Sequence, residues 1–349
     1  MEGRSDRMKS EKELYQKNQR KYYFLVIFGI ILLVSVFFWA ACHGNYATSF
    51  LDIVNSFLNP MQNPDVKRIV LLNRLPRLIS SIFVGAALSV SGLVYQELFH
   101  NRMASPDVLG VSAGAGAGAA IAVIAGLGFS TTSAFAFIGG VLSVLITQAT
   151  SGLFGRKTDK SVSLILAGIV IGGLMNSVMS FFKYISNDAQ LSTITFWLMG
   201  GFYNTTYDQL RIAVPLIITG LIILYLFRWR IAMLRNGESD AIIHGIDAGK
   251  LKKICIVTAT IITSVSVCLS GTIGWIGLAI PNLIRELVNN DGKKLFTLTL
   301  IYGAVFAEIC DYLSRTLSKT EIPVGIISGI LGAGMFMIVL FMRRVREGR

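Results

Sequence analysis

The sequence predicts an all-α polytopic membrane protein with about ten transmembrane helices. Of its 349 residues, 53% are hydrophobic and only 15% are charged, and the mean hydropathy is +0.62. A soluble domain normally carries about a quarter charged residues. Apolar runs of about 20 residues, the length that an α-helix needs to cross a bilayer, recur along the chain. Most of the surface is therefore expected to face lipid.

The apolar runs divide the chain into one long membrane domain between two short polar ends. We expect a basic cytoplasmic N-terminal segment at 1–21, a single transmembrane domain at 22–342 and a cytoplasmic tail at 343–349. Only a glycine-containing turn separates the spans within 252–289, so nine spans remain an alternative. The ten predicted spans are 22–42, 78–99, 107–127, 133–154, 161–182, 210–228, 252–271, 272–289, 295–314 and 323–342.

The distribution of positive charge predicts the orientation. The formal net charge is +12, and an excess of this size could indicate either nucleic-acid binding or the cytoplasmic loops of a membrane protein. With the N-terminus inside and ten alternating spans, 24 of the 32 lysines and arginines fall on the inner side. This bias favours an orientation with both termini inside, and it accounts for the net charge without a nucleic-acid partner.

The sequence lacks the motifs of the common hydrolases and nucleotide-binding proteins. No GxxxxGK[ST], HExxH or GxSxG pattern occurs, and the three histidines are scattered singly. We therefore predict no enzyme activity, no ATPase motif, no bound cofactor and no metal site in this chain. No two of the four cysteines form a CxxC pair; they are Cys42, Cys255, Cys268 and Cys310.

A weak internal echo predicts an inverted repeat. Ser91-Gly92 is followed by Pro106, and Ser270-Gly271 is followed by Pro281. Five spans separate the two segments, so they would cross the membrane in opposite directions. Inverted repeats of this kind are common in transporters.

Two charged features stand out from this pattern. Arg74-Leu75-Pro76-Arg77 opens the second span on the predicted outer side, where positive charge is disfavoured. These arginines are either snorkelling side chains at a helix end or a docking site for an acidic partner. The loop at 238–249 is amphipathic between basic flanks, and it is either an ordinary connection or a small helix that enters a partner's groove.

Several blocks of residues form a recognisable pattern in their order along the chain. They are Arg74-Leu-Pro-Arg77, Val84-Gly-Ala-Ala-Leu88, Ser91-Gly92, Gln96, Asn101, Ala104, Pro106, Leu109-Gly110, the run from Gly271 to Pro281, Arg285, Asp311, Arg315 and Glu321-Ile-Pro-Val-Gly325. Together they resemble the FecCD-type permeases, the membrane subunits of ABC importers for iron-siderophores, haem and vitamin B12. The resemblance covers about residues 65–342. The chain departs from the usual family pattern at Arg102-Met103, Asn282 and His244, and Glu97 and Glu308 stand where apolar residues are expected.

The resemblance implies a type II ABC importer in the bacterial cytoplasmic (inner) membrane. The permease would pair with a second permease copy, most simply as a homodimer, and with two ATP-binding subunits inside, which would hold ATP and Mg²⁺. An external substrate-binding protein would hand over an iron-siderophore, haem or vitamin B12. The substrate would pass along the dimer axis between the fifth and tenth spans.

The resemblance also implies roles for individual residues. The 238–249 segment would be the cytoplasmic coupling helix. The implied binding-protein docking residues are Arg74, Arg77 and Arg315; the gate and pathway residues are Asn101, Met103, Ser161 and Val162; the ATPase-coupling residues are Ala241, Ile242, His244 and Gly245.

An ion-coupled secondary transporter is the alternative prediction. Glu97, Glu308 and Asp311 lie within predicted spans, where ionisable residues often carry protons or ions. The 238–249 loop distinguishes the two classes, since an ATPase needs such a coupling element and a secondary carrier does not.

Overall fold

The computed structural model describes residues 2–43, 68–154, 160–235, 241, 243–288 and 291–347. Within these ranges the secondary structure is helical throughout, which confirms the predicted all-α fold. The helices are α1 (Glu2–Cys42), α2 (Leu75–Leu98), α3 (Val111–Ile124), α4 (Phe129–Ser151), α5 (Lys160–Ile185), α6 (Asp188–Met199), α7 (Tyr207–Leu234), α8 (Ala248–Ser270), α9 (Ile276–Val288), α10 (Gly292–Thr316) and α11 (Val324–Glu347).

Among the described residues, eight helical segments are long and apolar enough to cross a membrane. They correspond to eight of the ten predicted spans. The other two predictions, 107–127 and 272–289, coincide with α3 and α9, which have 14 and 13 residues. A helix rises 1.5 Å per residue, so each is about 20 Å long, shorter than the ~30 Å hydrocarbon core. The count of ten spans and the orientation of the termini therefore stay predictions.

The helices α3 and α9 each follow an interruption of the α-helical structure. The 3₁₀ turn Pro106–Leu109 and Gly110, in the left-handed conformation at φ 80°, precede α3. The irregular segment 271–275, in which Gly271 and Trp275 have positive φ, connects α8 to α9. A long helix, an interruption and a short helix thus occur twice along the chain, and the opposite direction of the two units in the membrane stays a prediction.

The helix α2 lies at the centre of the molecule. In its most apolar stretch 83% of the residues are buried, compared with 72% in α8 and α10 and 17% in α1. Gly85 faces the backbone of Gly303, and a Cβ on Gly85 would lie 2.5 Å from Ala307 Cβ. Small residues permit this close approach, which replaces the hydrophobic driving force that lipid does not provide.

Side chains at the helix starts explain several boundaries. Asn187 and Thr206 each form a reciprocal capping box with a glutamine three residues later, at the starts of α6 and α7. Asp247 and Asp291 accept backbone N–H groups at the starts of α8 and α10. The sequence analysis did not anticipate α6, a short helix between the fifth and sixth spans.

Candidate functional site

A buried charge cluster joins α2 and α10 near the ends predicted to be external. Arg77 Nε donates to Asp311 Oδ1 at 2.5 Å, and its Nη1 donates to Glu321 at 2.8 Å. Arg315 Nε lies 3.2 Å from the other oxygen of Asp311. The aspartate is fully buried and Glu321 remains 39% exposed. One carboxylate therefore holds two arginines inside the protein, and Glu321 forms the rim of the cluster.

The structure brings the three predicted docking arginines to one end of the molecule, but it places their side chains inside. Arg74, Arg77 and Arg315 are each 6% exposed. Arg74 donates to the carbonyl of Ala41 at 2.6 Å, and Arg315 donates to that of Ala40 at 3.3 Å. The cluster therefore also fixes the end of α1. Docking of a binding protein at these three arginines stays a prediction.

The position of these arginines in the helix differs from the sequence prediction. The second span was expected to begin at residue 78, whereas a π-helical segment, Ile69–Arg74, continues directly into α2. Arg74 and Arg77 therefore lie within a continuous helix, one turn apart, rather than in a loop before it. Their side chains point into the bundle because α1 and α10 pack beside this part of α2.

A second charge cluster lies at the opposite end of α2. Arg285 Nη1 donates to Gln96 Oε1 at 2.5 Å, and Nη2 donates to Glu97 at 2.9 Å. Asn282 Nδ2 donates to the carbonyl of Arg102 at 2.9 Å. Three departures from the usual family pattern, Glu97, Arg102 and Asn282, thus meet around one arginine. The sequence analysis noted each separately, since residues of α2 and α9 are far apart in the chain.

The predicted gate residues lie at this same end. The amide oxygen of Asn101 accepts the backbone N–H of Met103 at 2.9 Å, which fixes the turn after α2. Met103 is 57% exposed, and Val162 at the start of α5 is 46% exposed. Ser161 is buried and accepts a hydrogen bond from Lys252 at 3.2 Å. Asn101, Met103 and Val162 are thus exposed and Ser161 is buried, and hydrogen bonds fix Ser161 and the turn at Asn101.

The predicted coupling element is described only in part. Residues 238–240 and Ile242 lie outside the described residues, and Ala248 and Gly249 belong to α8. Ala241 is buried and accepts the backbone N–H of Ile246 at 2.9 Å, which closes a tight turn. His244 is exposed on this turn.

Two features of this turn make it project from the surface of the protein. Gly245 adopts a left-handed conformation at φ 73° that other residues rarely reach. Ile243, which the sequence analysis did not single out, is 79% exposed. At the base of the turn, a hydrogen bond from the Lys250 backbone N–H lowers the pKa of the Asp247 carboxyl.

A cleft lies between the two charge clusters, beside the irregular segments that precede α3 and α9. Its volume is about 690 Å³, and its lining includes Asp107, Ser112 and Asn176. Ser112 donates a hydrogen bond to Asp107. The cleft runs along Gly168, Gly172 and Gly173 of α5, one of the least buried spans. The sequence analysis missed Asp107, because nothing local indicates that this aspartate faces an open cleft.

The acidic residues of the alternative prediction occupy different environments. Glu97 and Asp311 are paired with arginines, as described above. Glu308 is fully buried, and neither of its carboxylate oxygens has a hydrogen-bond partner within the described residues. The arrangement does not support an ion-coupled pathway through these three residues, since two of them are already neutralised.

Comparison with known proteins gives a consistent result. A model described as the FecCD transport family matches residues 31–343. A Helicobacter pylori protein named as an iron chelatin transport system permease is 32% identical over 294 residues, covering 84% of this chain and 89% of that protein. A hemin transport system permease of Yersinia pestis is 31% identical over 330 residues, covering 92% and 96%.

A solved structure is also similar over nearly its whole length. It is described as an inward-facing conformation of a metal-chelate type ABC transporter, and it shares 30% identity with this chain at a TM-score of 0.80. The match covers 91% of this chain and 98% of that chain. The two relatives are named as transport system permeases and the solved structure as an ABC transporter, and none of them supports the ion-coupled alternative.

Proposed function

We propose that this chain imports a chelated metal, with an iron-siderophore as the preferred substrate. It belongs to the FecCD transport family and is a membrane-spanning permease of an ABC transporter. The observation that carries this proposal is the family match over residues 31–343, together with the relatives named for iron chelatin and hemin. Haem and vitamin B12 are the other cargoes of the proposal. The bacterial inner membrane is the proposed location.

The proposed assembly contains two copies of the permease, two ATPase subunits inside and one binding protein outside. The helix α5 supports the pairing of two copies, since only 22% of its most apolar stretch is buried. It exposes Ile169, Leu174 and Phe181, a surface that could face a second copy. The cleft at Asp107 runs along this helix, so the cargo would pass between two α5 helices.

ATP hydrolysis is assigned to the partner subunits, which would hold ATP and Mg²⁺. The turn at 243–247 would transmit their closure to the permease. Ile243 projects an apolar side chain from this turn, and α8 continues from it directly into the core beside α2. An ATPase groove that took up Ile243 would therefore move α8, and with it the region next to the cleft.

The transport proposal is tested in proteoliposomes that contain the permease and its ATPase. We expect uptake of a radiolabelled ferric siderophore only when ATP is inside and the loaded binding protein is outside. Omitting either component provides the control. Uptake driven by an ion gradient without ATP would falsify the proposal, and uptake of another cargo alone would correct the substrate.

Docking of the binding protein would use the outer cluster, which consists of Arg74, Arg77, Asp311, Arg315 and Glu321. A carboxylate of the binding protein would replace a carboxylate of the permease beside one of the arginines. Arg77 is held by Glu321, which is partly exposed, so an acidic side chain of the binding protein could replace it. We expect Glu321→Gln to raise the affinity for the binding protein about threefold to tenfold, because the competing carboxylate is lost while Asp311 still holds Arg77.

The measurement is titration of labelled binding protein onto the permease in nanodiscs at two salt concentrations. Asp208→Asn is the matched control, because Asp208 forms an exposed pair with Arg211 near the start of α7, on the same predicted side. An unchanged or lower affinity of the Glu321 variant would mean that Arg77 does not contact the binding protein.

A further inference from the structure

An open cavity of about 550 Å³ lies between α1, α7 and α10, at the end of the molecule that carries the N-terminus. The apolar stretches of α1 and α10 begin beside it, and that of α7 ends there. The cavity therefore lies at the boundary between the membrane-spanning part of the protein and the polar surface. It shares no lining residue with the cleft at Asp107 and contains no residue of the outer cluster, and the proposed transport steps do not use it.

The cavity is strongly basic. Four positive residues line it, and Asp291 is the single carboxylate among its lining residues, all of which lie in the described part of the chain. The side chains of the lining carry four positive charges and one negative charge, and Asp291 pairs with Lys294 at 3.2 Å. The basic residues are Arg228, Arg235, Lys293 and Lys294. Such a concentration of charge favours an anionic ligand.

Aromatic side chains hold two of these cations in place. The Arg228 guanidinium lies 3.8 Å from the ring centroid of Tyr225 and donates to the Tyr225 carbonyl at 2.7 Å. Lys294 Nζ is 5.9 Å from the ring centroids of both Tyr15 and Tyr22, and its side chain is only 12% exposed. Cation–π contacts of this kind order long side chains that would otherwise be flexible. Part of the charge is thus positioned before any ligand arrives.

The surroundings of the cavity suit a lipid better than a soluble anion. Trp229 lines the cavity and is 47% exposed, as is typical of aromatic residues at a membrane interface. Exposed apolar side chains lie within two turns of the cavity on both flanking helices, Phe24 and Ile27 on α1 and Ile222 and Leu226 on α7. These side chains offer an apolar surface for acyl chains, which a free phosphate ion does not have.

We propose that this cavity binds the phosphate-bearing headgroup of an anionic phospholipid from the leaflet on the N-terminal side. The headgroup phosphate would contact Arg228 and Lys293, and the N-terminal backbone of α10 at Gly292 would face it. The acyl chains would lie against α1 and α7. The seven basic residues in the sequence before Tyr22 would further attract an anionic membrane surface.

Native mass spectrometry of the full-length chain with added phosphatidylglycerol or phosphatidylcholine tests this site. We expect the wild-type chain to retain phosphatidylglycerol preferentially. The double variant Arg228→Gln/Lys293→Gln should bind it about 30-fold more weakly, the effect of two basic charges at an anionic interface. Arg230→Gln is the matched control, because Arg230 lies on the same helix but outside the cavity lining, and it should bind like the wild type.

Two further measurements distinguish a phospholipid from free phosphate as the ligand and control for misfolding of the variants. If the double variant does not elute as the wild type in size exclusion, the single variant Lys293→Gln is used, with an expected loss of about fivefold. Equal binding of both lipids by the wild type would overturn the proposal. Displacement of the lipid by an equal concentration of inorganic phosphate would also overturn it. So would lipid binding by the variants that equals that of the wild type.

Discussion

Asp311 is the residue that joins α2 to α10 at the end of the molecule predicted to be external. It is fully buried and balances two arginines that come from α2 and from its own helix. Arg77 and Arg315 also bind Glu321 and the end of α1, so four parts of the chain meet at one carboxylate. The pairing of Asp311 with Arg315 could be anticipated from their spacing of four residues. Its pairing with Arg77, which is 234 positions away, could not.

Asp311→Asn removes the charge that balances both arginines while keeping the side-chain volume. We expect the folded state to lose about 3–5 kcal/mol, because two buried cations remain with one partly exposed carboxylate. The yield of monodisperse protein and its thermal unfolding in detergent measure the effect. Asp208→Asn, at an exposed pair, should change neither. Normal stability of the Asp311 variant would show that the cluster contributes little to the fold.

At the scale of elements, the contact between α2 and α10 is set by glycine. Backbone atoms of Gly303 lie where a side chain at Gly85 would project, and Ser89 donates to the Thr299 carbonyl at 3.0 Å one turn further along. The abundance of glycine within the spans predicted dense packing of helices. It did not identify which helices meet, because a small residue is compatible with any close neighbour.

Gly85→Ala tests this contact. The added Cβ would lie 2.5 Å from Ala307 Cβ, and we expect the two helices to separate at a cost of about 1–3 kcal/mol. Thermal unfolding of the purified protein provides the measurement. Gly152→Ala is the control, because its φ is −66° and a Cβ there has nothing within 4 Å. An equal effect of the two substitutions would contradict a role of close packing at Gly85.

At the scale of the whole molecule, opening of the end predicted to be internal would have to change the surroundings of the turn after α2. This turn is tied to α9 through Asn282 and Arg102, and the neighbouring end of α2 is tied to it through Glu97 and Arg285. If Met103 forms a gate, these hydrogen bonds couple its movement to that of α9. The exposed side chain of Met103 is accessible for a probe.

Cross-linking between two copies at Met103→Cys tests the gate. We expect the yield of the cross-linked dimer to change when the partner ATPase binds nucleotide, because closure of the ATPases would alter the separation of the two turns. Leu153→Cys is the control: it is 82% exposed at the end of α4, on the same predicted side, and should show no such dependence. A nucleotide-independent yield at position 103 would argue against a gate there.

The sequence by itself determined the fold class, the approximate position of every long span and the family. Hydropathy is a local property that can be read within about 20 residues, and the order of motifs can be read along the linear chain. The tertiary structure decided which charges are neutralised, where the cleft runs past Asp107 and which basic residues form the cavity between α1, α7 and α10. These features join residues that lie far apart in the chain, and their energies depend on distance and burial, which a linear pattern does not contain.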